Sequence, residues 1–165
     1  MHRIAAAILV VAVAAAGWWW LRPAGPPPAE ATVARVIDGD TVIVRSGTRT
    51  LDVRLLGIDT PETVDPHRPV GCYGPEASAY TKHLLTGRRV RLVYDRKLHD
   101  RYGRWLAYVY LEQQGRTDLF VNARLVAAGY ARTLSIPPNT AHAADLSHLE
   151  RSAALAGRGL WQACE

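Results

Sequence analysis

The chain has 165 residues, room for one domain of ordinary size and a short tail but not for two full domains. Hydrophobic residues make up 48%, so a packed core rather than a disordered chain is expected. The formal net charge is +5 and 18 of the 20 basic residues are arginine, which suits an anionic partner (nucleic acid or a membrane surface) and bidentate phosphate contacts.

Met1-His2-Arg3 is a short positive start, and Ile4 to Leu21 carries no charge. As a helix that stretch spans about 27 Å at roughly 1.5 Å per residue, close to the thickness of a bilayer's hydrocarbon. Residues 1–22 therefore read as a hydrophobic helix that is either a cleaved signal peptide or an uncleaved signal anchor. Cleavage after Ala16 would leave Gly17-Trp18-Trp19-Trp20 as an exposed apolar end, whereas three tryptophans closing a span form an interfacial belt. The retained anchor is thus the favoured form. Residues 23–30 are a stiff proline-rich linker. Either form exports the domain over residues 31–165, anchored on the outer side of a membrane or secreted. That domain stays basic, with 18 basic residues against 14 acidic. Cys72 and Cys164 fit no Cys-x-x-Cys metal or redox spacing. Outside the cytosol they can pair, closing a loop of about 90 residues worth roughly 4 kcal/mol in the chain-entropy model.

Thr32 to Ile37 alternates and reads as a strand, and Asp38-Gly39 is a strong hairpin signal. Thr41 to Arg45 is the returning strand, Ser46-Gly47 a second turn, and Thr50 to Ile58 a third, more buried strand. Pro75 opens a helix whose inner face is Ala77, Tyr80 and Leu84, ended by Gly87. Arg88 to Tyr94 is a fourth strand, 95–104 a charged loop, and Trp105 to Leu111 a fifth strand. Asp118 caps a short helix through Ala128, stopped by Gly129. Pro137-Pro138 breaks the chain, and Asn139 or Thr140 caps a last helix with the stripe Leu146, Leu149, Ala153 and Ala156. Five short antiparallel strands and three helices predict an α+β, mainly β, fold: an OB-fold-type five-stranded Greek-key barrel.

Three charged pieces punctuate these elements: Asp38-Gly39-Asp40, Arg54 to Glu62, and Asp100 to Arg104. Each alone is an ordinary turn, and only their conjunction on one basic, exported, barrel-like domain is informative. Cleaving a phosphodiester needs cations against the developing charge and a base for the attacking water. Asp40 and Asp59 supply hard carboxylate oxygens, and the Thr60 carbonyl can add a third, a set that suits Ca²⁺ or Mg²⁺. No histidine or cysteine cluster argues for zinc. Arg54 and Arg104 can clamp the phosphate, and Glu62 is left as the candidate general base. Arg54 and Asp59 are an odd number of residues apart, so a regular strand would put them on opposite faces. They share a site only if the backbone turns between them, and Gly57 is the place for it.

Together the stretches 36–42, 54–62, 73–82 and 100–110 resemble the micrococcal (staphylococcal) nuclease family, the thermonuclease-like domains, and the likeness runs from about Thr32 to about Trp161. The resemblance implies an OB-type barrel with three helices and a Ca²⁺-dependent enzyme that cleaves DNA and RNA to 3′-phosphates, and the chain is expected to be a monomer. It makes Asp40, Asp59 and the Thr60 carbonyl the calcium ligands, and Arg54, Glu62 and Arg104 the catalytic residues. Arg101 and Tyr102 would contact phosphate. One departure stands out: the family's best-known member carries two base-flanking tyrosines where this chain has Ala131 to Pro137, without an aromatic. Base stacking contributes roughly 1–3 kcal/mol per base, so a weaker or different base preference is expected, with the chemistry intact. Two rivals remain. One is a non-catalytic OB-fold nucleic-acid-binding module, which would gain nothing from Asp40, Asp59 and Glu62. The other is a metal-free ribonuclease using His83, His99, His142 or His148, none of which has a convincing partner.

Overall fold

Two valines three apart, Val33 and Val36, both face inward from Glu30–Val36 (β1), because a bulge between Val33 and Arg35 shifts the register. The computed structural model describes residues 27–64, 66–67 and 69–164. The N-terminal hydrophobic segment and the first half of the proline linker lie outside the described residues. Among the described residues no helix is long and apolar enough to cross a membrane.

β1 pairs antiparallel with Thr41–Ser46 (β2), and β2 with Arg49–Leu55 (β3). Arg89–Val93 (β5) joins β1 on its other side and Trp105–Leu111 (β6) joins β5, both antiparallel. β6 then returns to β3 in parallel, with Val53 opposite Trp105 and Leu55 opposite Ala107. That pairing closes a five-stranded barrel, so the closure is parallel where five antiparallel strands were expected. Leu119–Phe120 (β7) adds a short extra strand on the free half of β6. The alternating valines and leucines fill the interior, among them Val42, Val44, Val53, Leu55, Val90 and Val109, all essentially inaccessible to solvent.

Helices cover the barrel: Gly74–Leu85 (α1), Val121–Ala127 (α2), Ala143–Leu155 (α3) and a short Leu160–Ala163 (α4) beyond the three expected. α1 packs closer than its apolar stripe implied. Its buried face is Ala77, Ser78, Thr81 and Leu85, with Tyr80 and Leu84 half-buried beside it. The Thr81 hydroxyl donates to the Gly39 carbonyl at 2.8 Å, tying α1 to the first hairpin turn. Asp118 does not cap α2. It pairs with Arg91 at 3.2 Å, and the helix starts three residues later. Neither Asn139 nor Thr140 caps α3, which begins at Ala143 and ends before Ala156. Asn139 instead clamps Lys97, accepting its N–H at 2.8 Å and donating to its carbonyl at 2.7 Å.

The stretch expected as one strand over 50–58 is two. β3 stops at Leu55, and Gly57–Asp59 (β4) leaves the barrel to pair with Arg132–Leu134 (β8). Gly57 permits the departure, with φ at +75°, and a Cβ there would stand 2.7 Å from Leu146 Cδ1. Asn122, fully buried, satisfies the backbone at the break. It accepts the Val109 N–H at 2.9 Å and donates to the Leu56 carbonyl at 2.7 Å. Gly57→Ala meets both the positive φ and the Leu146 contact, so a loss of about 1–3 kcal/mol is expected in urea unfolding. An unchanged midpoint would contradict it.

Candidate active site

The bend at Gly57 determines where Arg54 points. Its NH1 donates to the carbonyls of Leu55 at 3.1 Å and Ile58 at 2.9 Å, so the guanidinium lies inside its own turn. From there NH2 meets Asp59 Oδ1 at 2.8 Å and NH1 meets Asp40 Oδ2 at 3.0 Å. One cation thus draws two carboxylates together from separate turns. Asp40 is buried at 4% exposure, while the Asp59 side chain is more than half exposed.

Asp40 is held from several sides. Its Oδ2 also accepts the Thr60 N–H at 2.7 Å, its Oδ1 accepts the Thr41 hydroxyl at 3.1 Å, and its own carbonyl accepts the Leu55 N–H at 2.9 Å. The turn before it must be glycine at position 39, where a Cβ would lie 2.7 Å from the Thr60 side chain. Burial is the largest influence on the Asp40 carboxyl and pushes it up to about 7. Arg54 and the Thr60 N–H pull it down without winning, and the neighbouring Asp38 and Asp59 charges add to the rise. The cluster is therefore short of positive charge.

Arg104 lies on the same rim, because β6 begins just after it and runs beside the end of β3. Its Nε donates to Asp100 Oδ2 at 2.7 Å, and its own N–H and that of Tyr102 reach Asp100 Oδ1 at 3.0 and 2.8 Å. Burial alone would raise the Asp100 carboxyl, but these bonds to Arg104 and Tyr102 outweigh it and hold it below the usual carboxylate range. Asp100 fixes the loop and leaves the NH1 and NH2 edge of Arg104 open. Tyr102, 66% exposed, is flanked by Arg101 and Arg104, with guanidinium carbons 4.8 and 5.4 Å from its ring.

Arg54, Arg104, Arg101 and Tyr102 share a groove of about 440 Å³ whose far wall is Leu134, Ile136 and the Pro137-Pro138 segment pinned by Asn139. Glu62 does not line that groove. It lines a second hollow of about 330 Å³ with Asp59, Thr60 and Arg132, and its Oε1 accepts the N–H groups of Thr63 and Val64 at 2.9 and 2.8 Å. Cys72 and Cys164 form a disulfide on that hollow's wall, tying the Glu62-bearing loop to the C-terminal turn. A larger hollow, about 820 Å³, lies around Arg88, Arg89 and Arg91. Arg89 there is paired with Glu30 and Glu112, and Arg91 with Asp118, so its charge is largely compensated.

The donor chemistry fits a hard divalent cation. Two carboxylates converge, one of them buried and undercompensated, with no nitrogen or sulfur ligand beside them. Among the described residues no three acidic, histidine or cysteine side chains are placed to hold one metal ion together, so backbone carbonyl and water would complete the shell. The four candidate histidines do not form a rival centre among the described residues. His83 and His148 are exposed, His99 packs on Trp105, and His142 packs on Tyr108 and Phe120. Sequence reading missed Asp100 and Arg132. The Asp-x-x-Gly spacing of 100–103 could have flagged the first.

A closed five-stranded barrel with arginines and carboxylates clustered on one rim defines an OB-fold protein that handles phosphate. The family described as staphylococcal nuclease homologue matches residues 52–163. The chain is 44% identical over 130 residues to a thermonuclease of Staphylococcus intermedius, covering 79% of this chain and 74% of that one. A thermonuclease of Staphylococcus hyicus is 42% identical over 129 residues, covering 78% and 73%. The SPbeta prophage-derived endonuclease YokF of Bacillus subtilis is 34% identical over 134 residues, 80% of this chain and 44% of that protein. The chain belongs to the staphylococcal nuclease family.

The raised Asp40 carboxyl sets a pH dependence. The folded state holds this proton more tightly than the unfolded one. The stability it contributes is complete below about 3.8 and is lost as pH rises to about 7. Asp40→Asn keeps an oxygen for the Thr60 N–H and removes the charge. In EDTA at pH 8 it should be more stable than the parent by roughly 2–4 kcal/mol, the gap closing toward pH 4. Urea midpoints across that range check this, and a gap that widens toward acid would refute it.

Proposed function

We propose that this nuclease hydrolyses the phosphodiester bonds of DNA and RNA by attack of water on phosphorus, with Ca²⁺ as cofactor and 3′-phosphates as products. The observation that carries the reading is Arg54. It gathers Asp40 and Asp59 around itself while lining the same groove as Arg104.

Arg54 and the free edge of Arg104 bind the phosphoryl oxygens and oppose the charge that grows on them. Asp40, Asp59 and the Thr60 carbonyl would hold the cation, and Ca²⁺ bound there supplies positive charge beside the reacting phosphate. Glu62 takes the proton of the attacking water. The water oxygen bonds phosphorus as the bond to the 5′ oxygen breaks. Asp100 orients Arg104, and Arg101 and Tyr102 contact phosphate along the strand. A purely binding module would carry Asp40, Asp59 and Glu62 as repulsion toward its own ligand. The protein works outside the cytosol as a monomer, anchored or secreted. The uncharged stretch from Ile4 to Leu21 and the Cys72–Cys164 bridge both support export.

Plasmid DNA incubated with the purified protein should be digested with Ca²⁺ and spared with EDTA. Glu62→Gln should lose about 10²–10⁴ in kcat and Arg104→Ala about 10²–10³. EDTA-resistant digestion of RNA alone would favour a histidine route, and binding without digestion a non-catalytic module.

Leu134 and Ile136, 40% and 62% exposed, present an aliphatic wall where an aromatic platform would stack bases. Ile136→Tyr should lower KM for oligonucleotides about five-fold or more with kcat nearly unchanged, since stacking contributes roughly 1–3 kcal/mol per base. Steady-state kinetics on a short single strand measures both constants, and a change confined to kcat would contradict the reading.

A further inference from the structure

We propose that Arg132 binds the phosphodiester group next to the scissile one, at the Asp59 end of the β4–β8 ribbon, beyond the Arg54–Arg104 groove. The assignment rests on the nuclease reading of the site given above.

The ribbon pairs Gly57 with Leu134, Ile58 with Thr133 and Asp59 with Arg132. Side chains alternate along it. Ile58 is buried, and Thr133 turns inward to Glu150 of α3, which accepts its N–H at 3.0 Å and its hydroxyl. Asp59, Arg132 and Leu134 therefore share the outer face. Leu134 lines the groove that holds Arg54 and Arg104, and Arg132 lines the hollow that holds Asp59, Thr60 and Glu62. The two hollows meet at Asp59, whose carboxylate grips Arg54. A strand laid across the ribbon passes from one to the other. Leu134 and Arg132 stand two residues apart, about 6.6 Å at strand rise, a step comparable to that between neighbouring phosphates of an extended strand.

Arg132 differs from Arg54 and Arg104. Arg54 and Arg104 each hold a carboxylate, whereas the Arg132 guanidinium makes no ion pair among the described residues. It is exposed, and it is braced 4.2 Å over the ring of Trp161. Trp161 belongs to α4, which leads into the Cys72–Cys164 bridge, so the platform beneath Arg132 is pinned. Among the described residues the other charged groups of this hollow, Asp59 and Glu62, would repel a phosphate entering it. Arg132 offsets them and gives the strand a reason to cross.

The test measures binding by the full chain in a Glu62→Gln background, which blocks cleavage. The ligands are a labelled single-stranded oligonucleotide and a nucleoside carrying 5′- and 3′-phosphates, both with Ca²⁺. Arg132→Gln should weaken the oligonucleotide about tenfold and reduce its salt slope by about 0.7, the value for one phosphate of a single strand. The nucleoside bisphosphate, confined to the Arg54–Arg104 groove, should bind as before. Arg132→Lys should keep the salt slope, which separates charge from packing on Trp161, and the thermal midpoint of each variant confirms folding. Unchanged oligonucleotide affinity, or an equal loss for both ligands, overturns the assignment. Failure of the parent protein to bind either ligand overturns it together with the nuclease reading of the site.

Discussion

Arg54 is where three pieces of chain meet. Its guanidinium touches two carbonyls of its own turn, the buried carboxylate of Asp40 and the exposed carboxylate of Asp59. A carboxylate as enclosed as Asp40 is expensive as an anion, and Arg54 offsets only part of that cost. The cluster depends on the tertiary fold. It forms because the closing pair of the barrel sets Arg54 opposite Leu106, beside the start of β6, which puts Arg104 on the same rim. Barrel closure is what places the two arginines on one rim.

Even assembled, the cluster is out of electrostatic balance. Arg54 is a single positive charge facing Asp40, Asp59 and the nearby Asp38, and burial prevails over it at Asp40. A scaffold chosen only for stability would have replaced Asp40 with an apolar or neutral residue. The tension is explained if a further cation belongs there in the working protein. By contrast, the arginines of the larger hollow around Arg89 and Arg91 sit at ease with their carboxylates, and that surface has no comparable demand for a ligand.

Much of the barrel was legible because strand alternation is a local property. Trp105 to Leu111 was read with its observed bounds, and β1, β2 and β5 to within a residue or two. The parity conflict between Arg54 and Asp59 was legible as well, and so was its resolution at Gly57. Other features depend on residues distant in sequence. β8 is three residues, Arg-Thr-Leu, with no strand signal of its own, and it is a strand only because β4 swings out to meet it. Asn122 and Asn139 look like ordinary polar residues of a helix and a turn. Their work is to satisfy backbone groups 66 and 42 residues away. Asp118 has the composition of a helix cap, yet the guanidinium of Arg91 across the sheet is the stronger attraction.

By itself the sequence determined the kind of chemistry this protein carries. Acids and arginines at turn positions between apolar strands can go nowhere but the rim of a barrel, since burying them unpaired is too costly. The tertiary structure decided how they are shared out. Arg54 and Arg104 face one hollow, Glu62 and Arg132 another, and Asp59 stands between them. That division follows from a positive φ at Gly57, the β4–β8 pairing and a bridge between cysteines 92 residues apart. Each is a contact made by folding, and no local pattern of residues encodes which distant partner a turn will meet.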